Sequence, residues 1–142
     1  MIPTLTDEGV LPPGIHKATI PAMSDRFGFN VHRRVLIQAV NRTAIALANA
    51  GCKRLWIDGS LVTAKEVPRD WDGCWDPHGV LPKALDPVLQ DFSEAGRKRM
   101  QLKYLCDLFP STYLEGQNRR TFLEYFQVDR DGRAKGVLEI AM

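Results

Sequence analysis

The sequence has few cysteines, and their arrangement excludes two kinds of small domain. Cys52, Cys74 and Cys106 are odd in number and widely, unequally spaced, which fits neither a disulfide framework nor a zinc cluster. We expect them to be buried thiols in a reducing compartment. The 142 residues are 44% hydrophobic and 25% charged, close to the averages of globular proteins. We therefore predict a single domain over residues 1–142.

Long apolar runs and a strong charge of one sign are also missing. No apolar stretch approaches the roughly 20 residues that a membrane-spanning helix needs. The first 20 residues include Asp7 and Glu8 and lack the basic start and apolar run of a secretory signal. These absences predict a cytoplasmic protein that does not bind membranes. The net charge of +2 is too small to coat nucleic acid, so any RNA contact would need a local patch.

The periodicity of apolar residues predicts the first elements of an α/β chain. Residues 1–16 are rich in proline and are expected to form an extended lead-in on the surface. From Asn30 to Gly51 apolar residues recur at three- and four-residue steps, which predicts a helix capped by Asn30 and ended by Gly51. The short apolar run Arg54–Asp58, with a glycine on either side, predicts a buried strand.

The rest of the chain continues the alternation of helices and short apolar strands. We predict a turn or short helix over 61–66, a second strand over 70–75, a helix over 85–101, a third strand over 102–109, a helix over 112–126, and a final strand at Gly136–Ala141 after a turn at Asp131 and Gly132. This alternation indicates an α/β (α+β) fold with a mixed sheet flanked by helices.

Residues that could carry chemistry follow the strand Arg54–Asp58. Gly59 and Ser60 would present backbone N–H groups and a hydroxyl, which suit a phosphate. After nine further residues come Asp70 and Asp72, and strand alternation places both carboxylates on one face. Neighbouring carboxylates repel each other unless a cation lies between them. Carboxylates and phosphates together commonly hold Mg²⁺, so we expect Mg²⁺ or Mn²⁺ here.

This pattern resembles the signature of the nucleotidyltransferase superfamily of DNA polymerase beta type. That signature consists of an apolar residue, Gly-Ser and, about ten residues later, Asp-x-Asp. The stretches at 56–65, 70–73 and 125–136 are similar to a family of small bacterial and prophage proteins assigned to that fold. The resemblance covers residues from about 11 to 140. It implies a nucleotidyltransferase-like mixed sheet flanked by helices, a divalent metal and a nucleoside triphosphate (NTP) substrate. Similar minimal nucleotidyltransferases occur in toxin–antitoxin and phage-defence loci.

The resemblance also implies roles for individual acids. Asp70 and Asp72 would ligate the metal and serve catalysis. In that superfamily a third carboxylate on a following strand completes the site, and Asp107 is the match here. Asp107 would also help to activate the acceptor hydroxyl. Asp58 is the alternative ligand, although it can equally orient the Gly-Ser turn through hydrogen bonds to the backbone.

Candidate contacts to the substrate surround these acids. Gly59 and Ser60 would hold the triphosphate, and Lys65 would either contact it or remain a solvated lysine. A basic run fits either a solvated helix face or a contact with RNA. It consists of Arg97, Lys98, Arg99 and Lys103, to which Arg119 and Arg120 could add.

Two functions from different classes follow from these residues. The first is a metal-dependent nucleotidyltransferase that moves a nucleoside monophosphate from an NTP to a protein or RNA acceptor, in a toxin–antitoxin or phage-defence system. The alternative is a catalytically inactive protein of the same fold that binds a protein partner, as an antitoxin or a defence or counter-defence subunit would.

Overall fold

The computed structural model, which describes residues 1–116 and 119–142, contains one five-stranded mixed sheet with helices on both faces. The helices and strands, in chain order, are β1 (Gly14–Ala18), α1 (Ile20–Phe27), α2 (Val31–Asn49), β2 (Arg54–Asp58), β3 (Trp71–Trp75), α3 (Glu94–Tyr104), β4 (Cys106–Pro110), β5 (Leu114–Glu115), β6 (Arg120–Thr121), α4 (Phe122–Phe126) and β7 (Gly136–Ala141). This architecture confirms the predicted α+β fold class.

The strand order of the sheet is β1-β7-β2-β3-β4. β1 pairs parallel with β7 and β3 pairs parallel with β4, while β2 is antiparallel to both of its neighbours. Side chains alternate between the two faces of each strand. One face, which includes Leu55, Ile57 and Leu108, packs against α1, α2 and α3, whereas α4 covers part of the other face around Trp56 and Cys74.

The helix α2 and the strands β2 and β7 confirm the predictions made for them. The side chain of Asn30 accepts a hydrogen bond from the backbone N–H of Arg33 and so caps α2. Directly after the last cap residue, Gly51 has a φ of +99°, a conformation that favours glycine. These elements agree with the sequence because their signals are local.

The predicted helix over 85–101 begins in the wrong place. Residues Pro87–Gln90 form a 3₁₀ turn, and α3 begins only at Glu94. Ser93 caps α3 by accepting from the N–H of Gly96, while Asp91 accepts from the N–H of Ser93 and prevents an earlier start. Since α3 runs on to Tyr104, the third strand begins four residues later than predicted.

The predicted helix over 112–126 is wrong in most of its length. The chain forms the hairpin strands β5 and β6 and then the short helix α4. A reciprocal pair of hydrogen bonds between Thr121 and Glu124 fixes the start of α4. Residues 117–118 of the predicted helix lie outside the described residues.

The lead-in, residues 1–16, is buried more deeply than the sequence predicts. Ile2 and Leu11 are buried in the main core, and the carbonyl of Leu11 accepts a hydrogen bond from the N–H of Gly136 at the start of β7. Neither β1 nor α1 was predicted. The residues of β1 lack apolar alternation, since the strand lies at an edge of the sheet and buries little of its surface.

The three cysteines lie where the sequence predicts them. Cys52, Cys74 and Cys106 are all buried as free thiols, which confirms their predicted placement. In the described parts of the chain, no helix combines the length and the apolar character needed to cross a membrane.

Candidate functional site

Three carboxylates predicted from the sequence meet on the less covered face of the sheet. Asp72 on β3 and Asp107 on β4 are cross-strand partners, and Asp70 directly precedes β3. One oxygen from each of these residues lies within 4.8 Å of one from each of the others. Asp58, the last residue of β2, lies opposite Asp72 on the other neighbouring strand. The four acids therefore form one cluster, which we call the aspartate cluster.

The outer members of the aspartate cluster have cationic partners. Asp58 accepts from the ammonium of Lys135 at 3.0 Å. Asp107 accepts from Arg97 at 3.3 Å and from the amide of Gln101 at 3.4 Å.

The inner members, Asp70 and Asp72, differ in this respect. Neither carboxylate makes a hydrogen bond or ion pair within residues 1–116 and 119–142. Both half-buried side chains thus lie at the centre of the aspartate cluster without a direct bonding partner among the described residues.

Burial and mutual repulsion make this centre unfavourable for negative charge. Burial, followed by the charges of Asp70, Asp107 and Asp58, raises the pKa of Asp72 to about 7, against a smaller opposing effect of Lys135. Burial and then the charge of Asp107 raise the pKa of Asp70. Burial also raises the pKa of Asp58, although Lys135 opposes the shift. A bound cation would relieve this repulsion.

The spacing of the three oxygens fits a divalent metal. Mg²⁺ binds oxygens at about 2.1 Å in octahedral geometry, so adjacent ligands on one ion lie about 3 Å apart and opposite ligands about 4 Å apart. The three oxygens lie within 4.8 Å of one another, so the carboxylates would draw closer together around a bound ion. Carboxylate oxygens are also the donor type that Mg²⁺ and Mn²⁺ prefer. Asp70, Asp72 and Asp107 could therefore hold such an ion.

Gly59 brings the Gly-Ser turn against the aspartate cluster. Its φ of +79° and ψ of −164° lie in a region that is essentially restricted to glycine. A Cβ atom at this position would lie 2.5 Å from Oδ2 of Asp72. The missing side chain thus permits both the turn and the close approach of the backbone to Asp72. Ser60 follows at the start of a 3₁₀ turn.

We expect Gly59→Ala to lower the stability of the protein and its affinity for Mn²⁺. Backbone strain costs about 1–3 kcal/mol, and the new methyl group also displaces the carboxylate of Asp72. Gly132→Ala is the matched control, because Gly132 has a φ of +80° and no atom near its missing side chain. Thermal unfolding and Mn²⁺ titration should show the larger loss for Gly59→Ala. Equal effects of the two variants on both measurements would contradict this account.

A buried arginine holds the loop after the Gly-Ser turn. Arg33 on α2 is fully buried and donates hydrogen bonds to the backbone carbonyls of Leu61, Thr63 and Lys65, as well as to that of Phe27. Burial lowers the pKa of Arg33. No carboxylate is among these partners, so the guanidinium compensates carbonyl dipoles of the loop.

A cavity of about 210 Å³ lies beside the Gly-Ser turn. Its polar lining includes Gly59, Ser60 and Thr63 from the turn, together with the ion pair of Asp58 and Lys135. This cavity, which we call the turn cavity, lies on the β7 side of β2, whereas Asp72 and Asp107 lie on the other side.

The structure places the predicted cation Lys65 differently from Gly59 and Ser60. Lys65 is exposed and is not among the residues that line the turn cavity. Its positive charge lowers the pKa of Asp70, though less than the charge of Arg69 does. Lys135 is the lysine that lines the cavity.

Sequence reasoning missed Lys135, Arg97 and Arg33 as residues of this site. The ion pair of Lys135 joins it to an acid 77 positions away in the sequence. Arg97 belongs to a basic run in which nothing distinguishes one residue from the next. Arg33 has no local signal either, because its partners lie in a loop about 30 residues further on.

A protein family includes almost the whole chain. A protein-family model, DUF6932, described as a family of unknown function, matches residues 3–141. No curated protein and no solved structure matches the chain.

Proposed function

Since the chain belongs to the DUF6932 family, whose description gives no function, we propose from the site itself that it is a metal-dependent nucleotidyltransferase. It would transfer a nucleoside monophosphate from an NTP to an acceptor hydroxyl. One observation carries the proposal. Asp70 and Asp72 make no direct hydrogen bond or ion pair among the described residues and lie with Asp107 within 4.8 Å of one another, next to a glycine turn that borders a polar cavity.

The metal site would consist of Asp70, Asp72 and Asp107. When bound there, Mg²⁺ would neutralise charge on the reacting phosphate and hold it for in-line displacement. The oxygen of the acceptor hydroxyl would form the new bond to the α-phosphorus. The bond from that phosphorus to pyrophosphate would break, and the hydroxyl proton would pass to Asp107.

The polyphosphate would occupy the turn cavity. Gly59 and Ser60 offer backbone N–H groups and a hydroxyl there, and Lys135 supplies a positive charge. The ion pair of Lys135 with Asp58 keeps this ammonium at the cavity wall, with 22% of the side chain exposed. A phosphate would thus meet a cation that is already positioned, which lowers the entropic cost of binding.

The proposal is tested by incubating the protein with labelled NTPs, Mg²⁺ or Mn²⁺, and candidate RNA and protein acceptors. We expect metal-dependent label transfer that an Asp70→Asn/Asp72→Asn variant loses. Asp25→Asn, which removes an exposed acid on α1, should retain full transfer. If the protein neither binds Mn²⁺ nor transfers label, the proposal is wrong. Mn²⁺ binding without transfer would favour an inactive binding protein of the same fold.

We expect replacement of Lys135 to weaken nucleotide binding much more than replacement of Lys65. Lys135→Gln should raise the Kd for the metal–NTP complex about tenfold, which corresponds to about 1.4 kcal/mol, because it removes the cation of the turn cavity. Lys65→Gln should change the Kd by less than about twofold, as expected for an exposed charge. Calorimetric titration measures both values.

Lys135→Gln also leaves Asp58 buried without its partner, so a stability control is needed. The double variant Asp58→Asn/Lys135→Gln removes both charges of the pair and should fold more stably than Lys135→Gln alone. It should retain the weakened nucleotide affinity. Recovery of wild-type affinity in the double variant would show that Lys135 acts only by supporting the fold.

A further inference from the structure

Arg97 differs from the other basic residues of α3 in its partner. Lys98 pairs with Glu94, Arg99 with Asp91 and Lys103 with Asp86, all outside the aspartate cluster. Arg97 instead bonds to Asp107 at 3.3 Å. It is therefore the one cation of this run that reaches the proposed metal site.

The guanidinium of Arg97 is anchored independently of Asp107. It lies over the ring of Phe109, 5.5 Å from the centroid, and that ring stacks on Phe122 with centroids 4.2 Å apart. Phe109 follows Asp107 by two residues on β4, so both side chains lie on the same face. Arg97 would stay beside the site if its bond to Asp107 were lost.

The bond between Arg97 and Asp107 is well suited to exchange. Its length of 3.3 Å is at the long end for a charged hydrogen bond, and about half of the Arg97 side chain is exposed to solvent. A metal ion on Asp107 would compete directly with Arg97 for the carboxylate. The displaced guanidinium would then be available to an anion entering from solvent.

The anion would belong to the acceptor and not to the NTP. Lys135 and the turn cavity lie on the β7 side of the aspartate cluster, whereas Arg97 contacts Asp107 and Phe109 on the edge strand β4. The ammonium of Lys135 bonds to Asp58 at the end of β2 and the guanidinium of Arg97 to Asp107 on β4, so two strand steps of about 4.8 Å, or about 10 Å, separate the two cations. In an in-line displacement the acceptor approaches the phosphorus from the side opposite the leaving group.

The surroundings of Arg97 favour RNA as that acceptor. The planar fork of arginine matches phosphate oxygens, and single-stranded RNA binds surfaces that combine arginines with aromatic rings. Tyr125 packs edge-on against Phe122 and is 38% exposed. Arg120, which faces Glu115 across the hairpin, lies two residues before Phe122 and is exposed.

We propose that Arg97 binds a backbone phosphate near the end of a single-stranded RNA acceptor once a metal ion has displaced it from Asp107. This inference rests on the proposed function, since it takes the RNA hydroxyl as the group that receives the nucleotide. Arg97 would thus select the acceptor. Asp107 would link metal binding to acceptor binding, because it releases Arg97 when a metal ion binds.

The test measures binding of a fluorescein-labelled single-stranded RNA of about ten nucleotides by anisotropy, at several salt concentrations and with Mn²⁺. Arg97→Gln should raise the Kd about tenfold and reduce the slope of log K against log salt by about 0.7, the value for one lost phosphate contact. Arg99→Gln is the matched control on the same helix and should leave the slope unchanged. Equal effects of the two variants would overturn the proposal.

The transfer of Arg97 from Asp107 to an RNA phosphate is tested in the absence of metal. Asp107→Asn should release Arg97 and raise RNA affinity in the absence of metal, and Asp107→Asn/Arg97→Gln should lose that gain. A gain that persists in the double variant would overturn the exchange step.

Failure of the inference can be distinguished from failure of the proposed function. If the protein binds Mn²⁺ and transfers label to a protein but does not bind RNA, only the proposal of an RNA acceptor is wrong. If it binds RNA through Arg97 but does not bind Mn²⁺, the proposed function is wrong.

Discussion

Asp72→Asn is expected to raise the Tm of the metal-free protein at pH 8 by several degrees and to abolish nucleotide transfer. The wild-type carboxylate is half-buried beside Asp70 and Asp107, and its pKa of about 7 leaves it charged at that pH. An amide of nearly the same shape removes the repulsion. Stabilisation of about 1–2 kcal/mol corresponds to roughly 3–6 °C for a domain of this size.

Scanning calorimetry with and without Mn²⁺ tests this prediction together with the metal site. Mn²⁺ should stabilise the wild-type protein, since a ligand that binds only the folded state raises its stability. The same ion should leave the Tm of Asp72→Asn almost unchanged. The exposed Asp25→Asn variant should behave like wild type in both conditions. A lower Tm of metal-free Asp72→Asn would show that Asp72 stabilises the fold, against our interpretation of the aspartate cluster.

Replacing Arg33 should have the largest effect on stability of any single change considered. Arg33→Leu keeps an apolar stem but leaves the carbonyls of Leu61, Thr63 and Lys65 without their donor. Each buried carbonyl left without a donor costs about 1–3 kcal/mol, so the loss of several together should lower the Tm by about 10 °C or more. Arg34→Leu is the control, because Arg34 is exposed and, among the described residues, its side chain donates only to the carbonyl of Gly28.

Arg33 also connects α2 to the turn cavity. Because it holds the loop that contains Thr63, a milder variant should weaken nucleotide binding before it unfolds the protein. We expect Arg33→Lys, which retains a charge but not the planar fork, to raise the Kd for metal–NTP at temperatures well below its Tm. Unchanged nucleotide affinity in a folded Arg33→Lys protein would limit Arg33 to a role in stability.

The parts of the fold that sequence reasoning predicts are those whose signals are local. The apolar periodicity of α2, its Asn30 cap and Gly51 all lie within one segment, and the strands β2 and β7 are short apolar runs between turn residues. The failures have local causes as well. The hydrogen bonds of Asp91 and Ser93 delay α3, and the Thr121–Glu124 pair that begins α4 is a sequence signature that could have been recognised.

Some residues of the site could likewise be predicted from the sequence, and others could not. Strand alternation predicts that Asp70 and Asp72 share a face, the resemblance to nucleotidyltransferases implies Asp107 as the third acid, and the structure brings these three side chains together. Lys135 and Arg97 could not be assigned, because their roles depend on which strands become neighbours. Their relation to the aspartate cluster exists only after β7 pairs with β2 and α3 packs beside β4.

The sheet order also has a consequence for folding kinetics. β7 lies between β1 and β2, although the paired residues Gly14 and Gly136 are about 120 positions apart in the sequence. Closing so long a loop is slow, because its entropic cost precedes any contact that rewards it. The segment from α2 to β4 can associate earlier through contacts that are nearer in sequence. A refolding chain would therefore assemble the three carboxylates first and gain Lys135 in its slowest step.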